Sequence, residues 1–217
     1  MKTTIYCFLL CMALLAPDMA RSTTTIVNGK GCIRSEFRKT TPFSRIDSRI
    51  YADIQIIKSN ISNIIISAQD NILPLILITE RDGLLIISTG EFNVCSDSSV
   101  RITIYVPFID EICLSGTGTI RSECPVQKIE LKGEGAIFCA GRIRNSSVEL
   151  SGSGEINLSE MKLKDAEVTI KGNGIVNINA SELLEVIITG TGTLYYKGNP
   201  VITSDISGTG GLISLKQ

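Results

Sequence analysis

The residues able to do chemistry in this chain are few, and one absence narrows the field at once. Its 217 residues include no histidine, so a Ser-His-Asp or Cys-His catalytic set, a His-ligated zinc and a proximal-His haem are all excluded from this polypeptide. No cysteine pair has C-x-x-C spacing, which argues against a thioredoxin-like redox centre or a zinc knuckle. The best acidic series is Glu111, Glu130, Glu149 and Glu167. A polysaccharide lyase or glycosidase needs two or three carboxylates converging on one face. These four stand beside apolar residues that strand alternation sends inward, so they point outward and read as a solvated stripe, with Glu130 and Glu149 the candidates for a ligand surface. Lys128, Lys132, Lys171 and Lys197 face outward by the same alternation and keep strand edges soluble. Tyr105, Tyr195 and Tyr196 could stack on a sugar ring, but Tyr196 falls in the inward phase, which leaves Tyr195 as the ligand aromatic.

A repeat must position these groups. The segment Glu111-Ile112-Cys113-Leu114-Ser115-Gly116-Thr117-Gly118 recurs from Ile129, Val148, Val168, Val186 and, degraded, Ser204. Its glycine pairs are Gly116 and Gly118, Gly133 and Gly135, Gly152 and Gly154, Gly172 and Gly174, Gly190 and Gly192, and Gly208 and Gly210, recurring every 17 to 20 residues. A period near twenty marks a solenoid. Apolar residues alternate before each pair (Ile112/Leu114, Val148/Leu150) and again after it (Ile156/Leu158, Val176/Ile178), so each repeat is two strand segments bent at Gly-x-Gly. At about 3.3 Å per residue such a coil has a perimeter of roughly 60 Å, and parallel stacking sets coils about 4.8 Å apart. The fold expected is all-β, a right-handed parallel β-helix, with the glycines as corners adopting positive φ. A dinucleotide loop is excluded because strand, not helix, follows each Gly-x-Gly. A calcium β-roll is excluded because the residue after the second glycine is acidic only at Glu155. The middle residues, Thr117, Glu134, Ser153, Asn173, Thr191 and Thr209, form a mostly neutral row suited to hydrogen bonding along the stack.

Residues 1–22 read as a secretory signal peptide: Lys2, a short apolar run from Ile5 to Leu15, the break at Pro17-Asp18, and cleavage between 20 and 22. Residues 23–217 then form a single solenoid domain, irregular over 40–107 and regular over 108–217. The irregular part shows further alternation, at Ile54/Ile56, Ile64/Ile66 and Ile102/Ile104, and is either degenerate coils or an N-terminal cap. Losing the leader removes Cys7 and Cys11. Of the remaining five cysteines, Cys95 with Cys113 and Cys124 with Cys139 are spaced to fall on neighbouring coils and could form disulfides, leaving Cys32 unpaired.

Phe43-Ser44-Arg45-Ile46, Asn71-Ile72-Leu73-Pro74, Gly83-Leu84-Leu85-Ile86, the Ser-Gly-x-Gly series and the ending Tyr195-Tyr196-Lys197-Gly198-Asn199-Pro200 resemble the head GIN domain family, which carries an autotransporter-adhesin label. The resemblance covers about residues 25 to 217 and implies a right-handed parallel β-helix exported by Bacteroidota. Two departures matter. The family commonly has aspartate after the second glycine, and no run of amphipathic strands that a membrane barrel would require follows Gly210. A net charge of −1 offers nothing to collect nucleic acid, and no transmembrane segment is expected once the leader is removed. The function expected is a non-catalytic binding module in the periplasm, at the surface or secreted, without cofactor, presenting repeated side chains to a polysaccharide or protein. The alternatives are a self-assembling structural envelope protein, a homo-oligomer, and a polysaccharide-active enzyme.

Overall fold

The computed structural model describes residues 25–95 and 100–215; the expected signal peptide lies outside the described residues. In chain order the strands are β1 (Thr25–Asn28), β2 (Ile33–Lys39), β3 (Arg45–Ser48), β4 (Asp53–Lys58), β5 (Asn63–Gln69), β6 (Leu77–Arg81), β7 (Leu84–Ser88), β8 (Phe92–Cys95) and β9 (Arg101–Val106). There follow β10 (Glu111–Leu114), β11 (Thr119–Ser122), β12 (Lys128–Leu131), β13 (Ala136–Arg142), β14 (Asn145–Leu150), β15 (Glu155–Ile170), β16 (Ile175–Ile188), β17 (Thr193–Lys197), β18 (Val201–Ile206) and β19 (Gly211–Ser214). The only helical piece among the described residues is a short 3₁₀ turn at Leu73–Leu75.

The strands stack as a parallel β-solenoid. On one face β7, β3, β10, β12, β14 and the C-terminal halves of β15 and β16 lie in parallel register, ending at β18. On the other, β9, β4, β11, β13 and the N-terminal halves of β15 and β16 do the same, ending at β17 and β19. Alternation builds the core directly. Leu85, Ile46, Ile112, Ile129, Val148, Val168 and Val186 form one buried ladder, and Ile102, Ile54, Ile120, Ile137, Ile156, Val176 and Leu194 its counterpart. A buried isoleucine, leucine or valine stabilises by about 1.5–3 kcal/mol relative to exposure, so two continuous ladders supply the driving force that glycine-rich corners cannot.

The irregular N-terminal part is both of the things expected of it, coil and cap. The coil formed by β3 and β4 is inserted between the later coil of β7 and β9 and the coil of β10 and β11, so spatial order departs from chain order. Beyond β7 and β9 the polarity reverses: β6 pairs antiparallel with β7, β5 with β9, and β2 with β5. The β6–β7 connection is a two-residue hairpin, with Asp82 at φ 51 and Gly83 at φ 75, the left-handed pair such a turn demands. In β2 the residues opposite buried Ile64 and Ile66 are Arg38 and Glu36, ion-paired at 3.0 Å. The Arg38 guanidinium also donates to the Ile76 carbonyl at 2.7 Å. Charges in the inward phase of an outermost strand block further strand addition. The Arg38 hydrogen bond also holds the Glu36 carboxyl below its ordinary range.

The repeat glycines do sit at corners, but none has positive φ, which corrects the expectation; positive φ occurs instead at Gly31, Gly83, Gly90, Gly141 and Gly198. The reason for glycine is contact between coils. A Cβ on Gly152 would lie 1.9 Å from the Gly133 carbonyl oxygen, and one on Gly172 1.9 Å from that of Gly152. From Gly152 upward the corner carbonyls also accept hydrogen bonds from the coil above, as in Asn173 N–H to Gly152 and Thr191 N–H to Gly172, both at 3.1 Å. The middle-residue row hydrogen-bonds as expected at one step, where the Thr191 hydroxyl and the Asn173 side-chain oxygen are 2.7 Å apart.

Cys113, Cys124 and Cys139 are free thiols, so neither expected bridge is formed in this structure. β8, which carries Cys95, pairs with β1 in a separate two-stranded sheet rather than on a coil beside β10, and the Cys95 side chain lies outside the described residues. Cys124 and Cys139 are core residues, and burial, with a smaller effect from nearby Cys124, pushes the Cys139 thiol up to about 12.

Two outcomes follow. Gly152→Ala lowers stability by more than about 1 kcal/mol because its methyl meets immobile backbone, whereas Gly83→Asn costs only a few tenths, since Asn tolerates left-handed backbone and nothing lies near; thermal melts check both. In the folded protein at about pH 8, iodoacetamide labels exposed Cys32 and leaves Cys139 unlabelled, because only the thiolate reacts; peptide mass spectrometry reads the sites.

Candidate functional site

The outward residues of the first face form two rows two residues apart. One runs Arg45, Glu111, Lys128, Ser147, Glu167, Glu185; the other Asp47, Cys113, Glu130, Glu149, Thr169, Ile187. The four glutamates thus divide between rows: only Glu130 and Glu149 are direct neighbours, while Glu111 and Glu167 lie in the other. Each of the neighbouring pair has its own cation, Glu130 with Lys132 at 3.0 Å and Glu149 with Lys171 at 2.6 Å, and Glu111 pairs with Lys128 at 2.7 Å. The hydrogen bonds that Lys128 and Lys132 donate to Glu111 and Glu130 raise the pKa of both lysines. A carboxylate held by a lysine in water is a poor general acid, which needs a raised pKa at a partly buried site. Among the described residues no group of three or more Cys, Asp or Glu side chains is arranged to hold a metal ion.

The second face is different in chemistry. Its outward row reads Gln55, Arg121, Phe138, Asn157, Asn177, Tyr195, Ile213, one residue per strand from β4 to β19. The Arg121 guanidinium lies 4.9 Å from the Phe138 ring centroid, a cation–π contact that fixes both side chains. Asn157 and Asn177 donate their amides to the same Glu155 oxygen, at 3.1 and 3.4 Å. Tyr195 is half-buried at the end of this polar run, while Tyr196, in the inward phase, packs against the core as expected. A groove of about 410 Å³ opens beside Arg121, Phe138, Asn157 and Glu160.

Where these strands leave the face, a second row was not legible in the sequence. β13 and β15 pair Arg142 with Lys162, β15 and β16 pair Lys162 with Asn179, and β16 and β17 pair Asn179 with Lys197. A register shift between Leu158 and Lys162 in β15 brings them into line. Arg142, Lys162, Arg144 and Lys164 line a groove of about 560 Å³ with Ile143, Leu163, Asn179 and Ser181. Lys164 is ion-paired with Glu182, whose carboxyl the Lys164 hydrogen bond holds below its usual range. Arg144 lies 3.8 Å from Asp165 and 4.0 Å from Glu182. Arg142 and Lys162 are exposed and have no ion-pair partner among the described residues. The signal that could have revealed this row is the recurrence of Arg, Lys, Asn and Lys at a variable distance after each second glycine.

The family model described as "Putative auto-transporter adhesin, head GIN domain" matches residues 42–200. No curated protein matches the sequence. Among solved structures, a "putative adhesin" from Bacteroides fragilis superposes with a TM-score of 0.62 at 20% identity, covering 87% of this chain and 100% of its own. One from Parabacteroides merdae gives 0.56 at 18%, covering 88% and 100%. A third, from Parabacteroides distasonis, described as a "putative lipid binding protein", gives 0.55 at 16%, with 88% and 100% covered. At such identities the likeness establishes the fold, while the match over most of the sequence establishes the family: the chain belongs to the head GIN domain family.

Proposed function

We propose that this protein is an exported, non-catalytic binding solenoid of adhesin type, which holds an extended ligand along the stack. The observation that carries the reading is the outward row Phe138, Asn157, Asn177, Tyr195, in which flat rings and amides recur at the coil spacing of about 4.8 Å. Rings and amides at a fixed pitch suit a repeating polymer better than a compact metabolite, which is normally enclosed by a concave, mostly apolar pocket. Absence of turnover is supported by the state of the best acidic candidates: Glu130 and Glu149 are each neutralised by a lysine rather than converging on a common point. Export is supported by the N-terminal apolar run and by family membership.

The test uses residues 23–217 against a panel of polysaccharides, with retention and product formation measured together. The expected result is retention of at least one polymer, weakened by Tyr195→Ala, with no new reducing ends or unsaturated sugars. Turnover that disappears in Glu130→Gln or Glu149→Gln with the fold intact would replace the binding reading with an enzymatic one.

A further inference from the structure

We infer that the polymer is an acidic polysaccharide, whose carboxylates or sulfates are taken by the row Arg142, Lys162, Asn179, Lys197; this rests on the binding reading above. Arg142 and Lys162 are direct neighbours in a parallel pair, where like charges destabilise a sheet. Three lysines of the other face, by contrast, each have a carboxylate: Lys128 has Glu111, Lys132 has Glu130 and Lys171 has Glu149. Two adjacent cations left without one are a local cost that folding does not require, and an anion laid across them would offset it.

The class of anion follows from what stands beside the row. In β16 Asn177 and Asn179 are two residues apart and share a face, and in β17 so do Tyr195 and Lys197. In β16 and β17 the second row therefore lies one step beyond the ring-and-amide row, while in β13 and β15 Arg142 and Lys162 stand further along the same strands, four residues past Phe138 and five past Asn157. A sugar ring in an extended chain advances by a distance close to one coil, so a polymer lying along the stack could set its rings against Tyr195 and the asparagines. Its anionic groups would then lie against Lys197, Asn179, Lys162 and Arg142. A lipid headgroup would use the charges but leave the amide row unoccupied. The groove beside Arg142 and Lys162 has Ile143 and Leu163 in its wall, which gives a sugar ring an apolar floor next to the charges.

The experiment measures binding of residues 23–217 to immobilised polygalacturonate and dextran sulfate, with neutral dextran and phosphatidylglycerol vesicles as comparison arms. The double variant Arg142→Gln with Lys162→Gln removes two cations of the row. Lys128→Gln with Lys171→Gln removes the same charge from the other face. Both pairs are exposed, and melting temperatures verify that each variant folds. The expected result is binding to one or both acidic polymers, weakened by salt, and reduced at least about tenfold by the first double variant with little change in the second. Equal losses in the two variants, or dextran bound as tightly as its sulfate, would overturn the inference while leaving a binding solenoid. Preference for the vesicles would replace the polysaccharide with a membrane surface. Failure to bind any polymer would remove both this inference and the reading on which it rests.

Discussion

At every regular corner the backbone of one coil rests directly on the backbone of the coil beneath. The Gly133 carbonyl oxygen occupies the place where a Cβ of Gly152 would stand, and the Gly152 carbonyl does the same beneath Gly172. From Gly152 onward this contact lets coil-to-coil hydrogen bonds run through the bend instead of ending at it, so a turn that would otherwise expose unpaired amides becomes part of the sheet. Two buried ladders can then be continuous because the coils beside them keep one spacing, and the outward rows inherit that spacing. A regular pitch of outward side chains is thus a consequence of glycine at the corner.

The same constraint explains where glycine is missing. In the coil of β3 and β4 the positions matching Gly116 and Gly118 are Ile50 and Ala52, and both are buried rather than excluded. The coil beneath it consists of β7 and β9, between which the chain departs through β8 to pair with β1. Side chains are therefore admitted at Ile50 and Ala52. At the capped end, Glu36 and Arg38 hold the inward phase of β2. In β18, by contrast, Ile202 and Ile206 continue the inward phase and are 36% and 40% exposed. The two ends of the described stack thus differ in kind, one blocked by charge and one apolar.

Much of this was legible in the sequence because strand alternation and glycine period are local signals. Val148/Leu150 and Val176/Ile178 announce their buried faces without knowledge of any partner. Pairing order is not local: Ile54, Ile102 and Ile120 have the same apolar phase, and nothing in it says that β4 lies between β9 and β11. The glutamate series misled for a related reason, since Glu111 and Glu130 fall on opposite sides of an outward step once register is fixed. The cation row was hidden by the irregularity in β15 between Leu158 and Lys162, which breaks the constant offset from the glycines by which a repeat is recognised. Side chains aligned by a bulge become visible as a row only after pairing is known.

Stacked backbone, rather than a flexible glycine turn, is the organising element. Amide hydrogen exchange tests this directly, because the two descriptions differ in which N–H groups are protected. If coil-to-coil hydrogen bonds run through the bends, the amides of Asn173 and Thr191, which lie in the bends and donate to Gly152 and Gly172, exchange as slowly as those of the neighbouring strands. Fast exchange at these two positions, with slow exchange confined to β14, β15, β16 and β17, would show the corners to be open loops and contradict a stack continuous through its bends.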